Sequence, residues 1–268
     1  MNKKNSISFY VLFFFAISLI VVSSVYSKNM DGYEVMLKYH NIDHGNDFKA
    51  DLAMELIKKN GKKRTRELIY WYLEKGEEDK KLLKFTQPDN IKGTAILSWA
   101  HENEDDDQWL FLPSLKRIRR IASTDKHKPF VGTDFSYNDM SLPHPKNFVN
   151  KIIGEEQING VDCYKIENIH KTYVNDSGLS KKERYQYSKT ISWINKENFT
   201  LIQSEMYDRD GEMCKRYSAL DIKKIEGYWV PVLQKMENLQ NGHKTVLTIT
   251  NIKFNLDPGE DFFSQQKL

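Results

Sequence analysis

The chain has 268 residues, 40% hydrophobic and 12% aromatic, with 40 basic against 37 acidic side chains and a formal charge of +3. Discounting Lys3 and Lys4, which precede a leader-like apolar run, the basic residues number 38, and so even a balance gives no support for nucleic-acid binding. Two cysteines exclude a disulfide scaffold, and the length fits one large all-β domain or two ordinary domains.

Met1 to Asn5 is short and positive, and Ile7 to Val22 is an almost unbroken apolar run. Val25 and Ser27 then stand at the spacing a signal peptidase reads. The apolar run falls short of the roughly 20 residues of a comfortable bilayer span. Residues 1–27 are therefore predicted to be a cleavable signal peptide, with an uncleaved anchor as the alternative, and residues 28–268 a single exported domain. Cys163 and Cys214 lie in strand-like runs, where a bridge between them and two buried thiols are equal readings.

Asp31 to His40 has helical spacing at Val35, Met36 and Tyr39, with Asp31 as N-cap. Leu52, Met54 and Leu56 then alternate with polar residues as in a half-buried strand, and Asn60-Gly61 signals a hairpin into Arg64–Leu73. Further strands are expected at Lys80–Thr86 and Ile91–Trp99. The acidic run Glu102–Asp107 lacks the glycine and spacing of a calcium loop and reads as a solvated turn.

Asp107 to Met140 is the most specific stretch. Trp109 and Phe111 share one face of a strand, Leu110 and Leu112 the other, so the strand is covered on both sides. Lys116, Arg117, Arg119 and Arg120 follow around Ile118, with basic residues on both sides of the pleat. After the rigid Ser141–Pro145 connection, hairpins are expected around Asn159-Gly160, Asp210-Gly211, Glu226-Gly227 and Asn241-Gly242. Asn175–Lys182 is a polar excursion. Tyr185, Tyr187, Lys189, Ile191 and Trp193 would share one strand face, and Phe262-Phe263 would tuck back onto the sheet. About eleven strands result, thirteen at the upper count, in antiparallel order. Strands joined by hairpins with few helices predict a mainly β fold, a large curved antiparallel sheet or barrel.

Catalytic signatures are absent. There is no G-x-S-x-G elbow, no H-E-x-x-H and no phosphate-binding glycine loop. His40 and His44 could chelate a metal but have no third ligand nearby, and a polar helix end is the simpler reading. Asp134 and Ser136 read as caps of a short helix, because no histidine or lysine is placed by sequence to activate Ser136. The chain is expected not to be an enzyme and to need no cofactor or metal. An apolar sheet face then either packs into a closed core or leaves a hollow for an apolar ligand.

Phe85-Thr86-Gln87-Pro88-Asp89-Asn90-Ile91-Lys92-Gly93-Thr94-Ala95 resembles the P-x-x-I-K-G-T segment of outer-membrane lipoprotein-sorting proteins of the LolA-like family. So do Asp107 to Ile121 and Gly132-Thr133-Asp134-Phe135-Ser136-Tyr137-Asn138-Asp139. The similarity covers roughly Asp31 to Phe263 and is to the larger branch, associated with transporters of the resistance-nodulation-division (RND) superfamily. It implies a strongly curved, incomplete antiparallel β-barrel whose hydrophobic hollow is closed by short helices. It also implies a periplasmic, monomeric carrier of lipid or lipoprotein acyl chains between membranes or to an envelope transporter. The alternative is an accessory domain of such a transporter that carries no lipid. Trp109, Phe111, Leu112, Phe135, Tyr137 and Met140 are the candidate hollow and lid residues. Lys116, Arg117, Arg119 and Arg120 are candidates for docking a partner or a lipid headgroup.

Overall fold

The computed structural model describes residues 30–75, 78–101, 105–174 and 186–268. The predicted signal peptide and the Asn175–Lys182 excursion lie outside the described residues. Helix α1 (Gly32–His40) starts where expected: Asp31 accepts from the Glu34 amide at 2.8 Å and Glu34 accepts from the Asp31 amide at 3.0 Å, a reciprocal capping box.

Thirteen strands follow. They are β1 (Asp47–Ile57), β2 (Lys63–Lys75), β3 (Glu78–Gln87), β4 (Ala95–Trp99), β5 (Asp107–Leu112) and β6 (Arg117–Arg120), then β7 (Phe148–Ile158) and β8 (Val161–His170). After the four-residue helix α2 (Lys171–Val174) come β9 (Lys189–Asn195), β10 (Leu201–Tyr207), β11 (Met213–Ile225), β12 (Tyr228–Asn238) and β13 (His243–Phe254). All belong to one antiparallel sheet in the order β6-β5-β4-β3-β2-β1-β13-β12-β11-β10-β9-β8-β7. Every neighbour pair but one is consecutive in sequence. The exception, β1 on β13, joins the two halves, with Met54 opposite Leu247 and Leu52 opposite Ile249. Among the described residues β6 and β7 each pair on one side only, so this is an incomplete barrel, with the upper strand count.

Strand alternation assigns each side chain to a face. On the inner face Leu52, Met54 and Leu56 of β1 join Leu68, Leu83, Phe85, Ile96 and Leu110 in one core. Ile121, Phe130 and Tyr137, from the segment between β6 and β7, complete it. Helix α1 covers the same face at the other end of the sheet, where Val35 meets Ile166 and Ile194. Gly32 makes that approach possible, since a Cβ there would stand 2.5 Å from the Asn150 carbonyl oxygen.

The outer face of β3, β4 and β5 is dry as well. Leu82, Ala95, Leu97 and Trp109 pack under Phe263, which is fully buried. Trp99 Nε1 donates to the Phe263 carbonyl at 2.9 Å, and Trp71 lies 4.8 Å from Phe262, ring to ring. The expected return of the C-terminal aromatics to the sheet is therefore what occurs.

Two local expectations differ. Ile91 belongs to a turn, its amide bonded to the Pro88 carbonyl, so β4 begins at Ala95. Tyr187 precedes β9 and joins an inner cluster with Phe135, whereas Ile191 and Trp193 belong to another. Tyr185 lies outside the described residues. The five-residue stripe fails because Tyr187 is drawn inward by a hydrogen bond to Asp139.

Candidate functional site

The segment 121–147 carries only short 3-10 turns and lies across the inner face as a strap. Its polar residues are its anchors. Asp134 receives His243 Nδ1 and the Thr245 hydroxyl, each at 2.7 Å, while its own amide donates to Thr245 Oγ1 at 3.0 Å. Asp139 receives the Ser136 amide at 2.7 Å, the Tyr187 hydroxyl at 2.9 Å and Lys215 Nζ at 3.0 Å. Burial and the adjacent Asp139 charge push the Tyr187 phenol well above its ordinary range, so it stays a proton donor. Gln108 Nε2 holds the Tyr137 carbonyl at 3.1 Å, and Arg66 donates to the Val131 carbonyl.

These contacts revise the role given to Asp134. It caps no helix but ties the strap to β13. Ser136 does accept the Asp139 amide, at 3.2 Å, in a local turn. It is fully buried. Tyr187, Asp139 and Lys215 stand beside it. His40 and His44 do not converge either: His40 packs on His144 with ring centroids 4.8 Å apart, and His44 lies against Tyr72.

The six apolar candidates divide between the two faces. Leu112 belongs to the inner core beneath the strap, and the strap residues Tyr137 and Met140 pack into the same core. Phe135 packs nearby with Met206, Cys214 and Met236. Trp109 and Phe111 point the other way, into the outer cluster with Trp99 and Phe263. The structure does not bring those two to the inner face.

Of the basic candidates, all four are exposed on β6 and its preceding turn. Arg119 is held by Asp125 at 2.5 Å and Arg120 by Asp107. Lys116, in a left-handed turn with φ 45°, and Arg117 have no carboxylate partner among the described residues.

The middle of the inner face, between strap and helix, is less completely filled. Phe48, Tyr70, Leu247, Ile249 and Ile252 face inward yet stay only partly buried. Tyr217 of β11 is also partly buried, and Tyr39 of α1 approaches it from the helix side. Burial raises the Tyr39 phenol to about 12 and lifts Tyr70 and Tyr217 above the ordinary phenol range. These partly exposed apolar side chains are the least covered part of the inner face. The sequence carried one signal for it, the alternation of Leu247 and Ile249 along β13. Nothing in the sequence separated these residues from ordinary core.

A family model described as "Uncharacterized protein" matches residues 77–268. No curated protein matches the sequence. Among solved structures, a putative outer membrane lipoprotein-sorting protein domain from Vibrio parahaemolyticus is 31% identical, with TM-score 0.79, covering 88% of this chain and 97% of that one. A DUF1329 family protein from Desulfovibrio piger is 25% identical, with TM-score 0.80 and the same coverages of 88% and 97%. A LolA superfamily protein from Nitrosomonas europaea, 21% identical with TM-score 0.66 over 89% of this chain and 100% of that one, shares the fold.

Proposed function

Because the chain belongs to the LolA-like outer-membrane lipoprotein-sorting family, we propose that it is a periplasmic carrier which shelters acyl chains of a lipid or lipoprotein in its inner hollow. The observation that carries this reading is the apolar, only partly covered middle of the inner face, at Phe48, Tyr70, Leu247, Ile249 and Ile252. In this reading residues 1–27 export the chain and residues 28–268 act as one monomeric carrier domain.

Each methylene removed from water gains about 0.8 kcal/mol, so a chain of roughly sixteen carbons gains on the order of 12 kcal/mol. Such a chain does not leave a bilayer for water at a useful rate. Transfer from a bilayer into an apolar protein hollow is close to neutral, because the chain is dry in both places. The strap residues Phe135, Tyr137 and Met140, with Leu112 beneath them, form one wall. Phenols at Tyr39 and Tyr70 suit the place where an apolar chain gives way to a polar ester. A lining of this kind gives shelter without direction, so direction comes from a donor and an acceptor, and an RND-type envelope transporter is the partner proposed.

The test is mass spectrometry of lipid extracted from protein purified without detergent. Stoichiometric acyl species support the carrier. An empty protein that binds no fatty-acid probe and holds a transporter tightly would replace this reading with an accessory role.

A further inference from the structure

Antiparallel order returns every second connection to the same end of a sheet. The β1–β2 turn, the β3–β4 loop and the β5–β6 turn therefore share one end, and the β12–β13 turn joins them because Ile57 stands opposite Lys244. The β1–β2 turn and its flanks read Lys58-Lys59-Asn60-Gly61-Lys62-Lys63-Arg64, and all five cations are exposed. Only Lys63 has an ion-pair partner, Glu55 at 3.0 Å, with both side chains largely in solvent. Lys58, Lys59, Lys62 and Arg64 have no carboxylate partner among the described residues. Burial, and after it the nearby Arg64 charge, disfavour the charged form of Arg66. Lys92 of the β3–β4 loop and Lys116 and Arg117 of the β5–β6 turn extend the same rim, and all are exposed. In this half of the sheet the opposite end is acidic, with Glu78 and Asp79 at one connection and Asp105, Asp106 and Asp107 at the other.

Two further features of the basic rim point to its partner. A cleft of about 370 Å³ lies between the β1–β2 and β12–β13 hairpins, lined by Lys58, Lys59, Asn60, Asn241 and His243. Its lining offers the ammonium groups of Lys58 and Lys59 and two amides, with the His243 imidazole held from behind by Asp134, and such a set of donors suits an anion. Large apolar side chains also stand out from this end, Leu115 at 61% exposure and Leu239 at 40%. Unpaired lysines, a recess with no carboxylate in its lining and protruding leucines together match an anionic phospholipid surface. They match a folded protein less well, since exposed leucines set among lysines offer no shape to dock.

We propose that this rim, centred on Lys58, Lys59 and Lys62, docks the protein on anionic phospholipid headgroups of a bilayer. The purpose of docking rests on the carrier reading, but docking itself is measured without cargo. The protein is sedimented with equimolar phosphatidylethanolamine–phosphatidylglycerol vesicles and with pure phosphatidylcholine vesicles, at low and high salt. It is expected to bind the anionic vesicles only, and less as salt screens the attraction. A lysine near an anionic surface is worth roughly fivefold in partition, so Lys58→Glu/Lys59→Glu/Lys62→Glu lowers binding on the order of a hundredfold or more. The control Lys223→Glu/Lys224→Glu, beside the β11–β12 turn at the opposite end, leaves binding unchanged. All five positions are exposed or near turns, and circular dichroism checks that each variant folds. Equal binding to both vesicle types, or undiminished binding by the triple variant, overturns the proposal. A fluorescent fatty acid titrated without vesicles tests the carrier reading separately: a protein that docks and takes up no probe keeps the docking surface and loses the carrier.

Discussion

Lys215 Nζ and Asp139 Oδ2 meet 3.0 Å apart with side chains only 10% and 6% exposed, which makes the strap's attachment to β11 a buried ion pair. The carboxylate also receives the Tyr187 hydroxyl and the Ser136 amide, so its lone pairs are well occupied. Removing it strands an ammonium group away from water. Asp139→Leu is expected to destabilise the protein by about 3–5 kcal/mol, the usual loss when one partner of a buried pair is deleted. Adding Lys215→Met removes the stranded charge and recovers part of the loss. Urea unfolding of the single and double variants checks this. A loss below about 1 kcal/mol for Asp139→Leu, the value of an exposed pair, would mean the contact does not hold the strap.

The thiols give a second prediction. Cys163 and Cys214 are free and buried, in the outer cluster of Trp193 and the inner cluster of Met236 respectively. Burial pushes the Cys163 thiol up to about 11 and raises Cys214 as well, so neither forms much thiolate at neutral pH. Ellman's reagent is expected to label neither in the native protein and both in denaturant. Reducing agent should leave the melting temperature unchanged. Rapid native labelling of either cysteine would contradict its burial.

These contacts also mark what was legible beforehand. Capping at Asp31, alternation along β1, the glycine turns and the return of Phe263 are local signals, and all appear in the fold. Alternation likewise separated Trp109 and Phe111 from Leu110 and Leu112. It could not say which pair faced the strap, because both faces of β5 are buried and both read as apolar. The polar anchors were out of reach for a different reason. Asp134 finds His243 and Thr245, 109 and 111 residues away, only because β13 closes onto β1, and Asp139 finds Lys215 76 residues away. A carboxylate whose partner lies so far along the chain looks, in sequence, like any turn aspartate. The basic stretch Lys116–Arg120 was visible, but its division was not: Asp125 and Asp107 occupy Arg119 and Arg120, and only the remaining cations are free to dock.

Acid should act through His170. Burial lowers its imidazole from 6.5 to about 4, against the opposing pull of the Asp105 carboxylate. Nδ1 accepts the Thr172 amide at 3.2 Å and lies 2.9 Å from the Thr172 hydroxyl, and the ring stands edge-on to Phe148. The folded protein thus keeps this histidine neutral while the unfolded chain protonates it below 6.5. Its contribution to stability is complete above pH 6.5 and is lost as pH falls through 4, in total roughly 3 kcal/mol. Comparing wild type with His170→Asn at neutral pH and at pH near 4 checks the sign. The variant should lose less on acidification, and an equal loss would place the acid-sensitive group elsewhere.

The two faces of the sheet make separable predictions about cargo. Trp109 packs beside Trp99, ring centroids 4.9 Å apart, under the C-terminal aromatics, so Trp109→Ala should cost about 3–5 kcal/mol of stability. Its folded fraction should bind a fatty-acid probe as wild type does, because the cavity created opens on the outer face. Ile249 is half-buried in the middle of the inner face, where a larger side chain has room to enter the hollow. Ile249→Trp should therefore keep the fold, with a change within about 1–3 kcal/mol. It should weaken probe binding at least about tenfold, a difference of roughly 1.4 kcal/mol. Stability comes from urea unfolding and affinity from fluorescence titration below the transition. If folded Trp109→Ala loses affinity while Ile249→Trp retains it, the acyl site lies on the outer face, and the inner hollow is packing left incomplete.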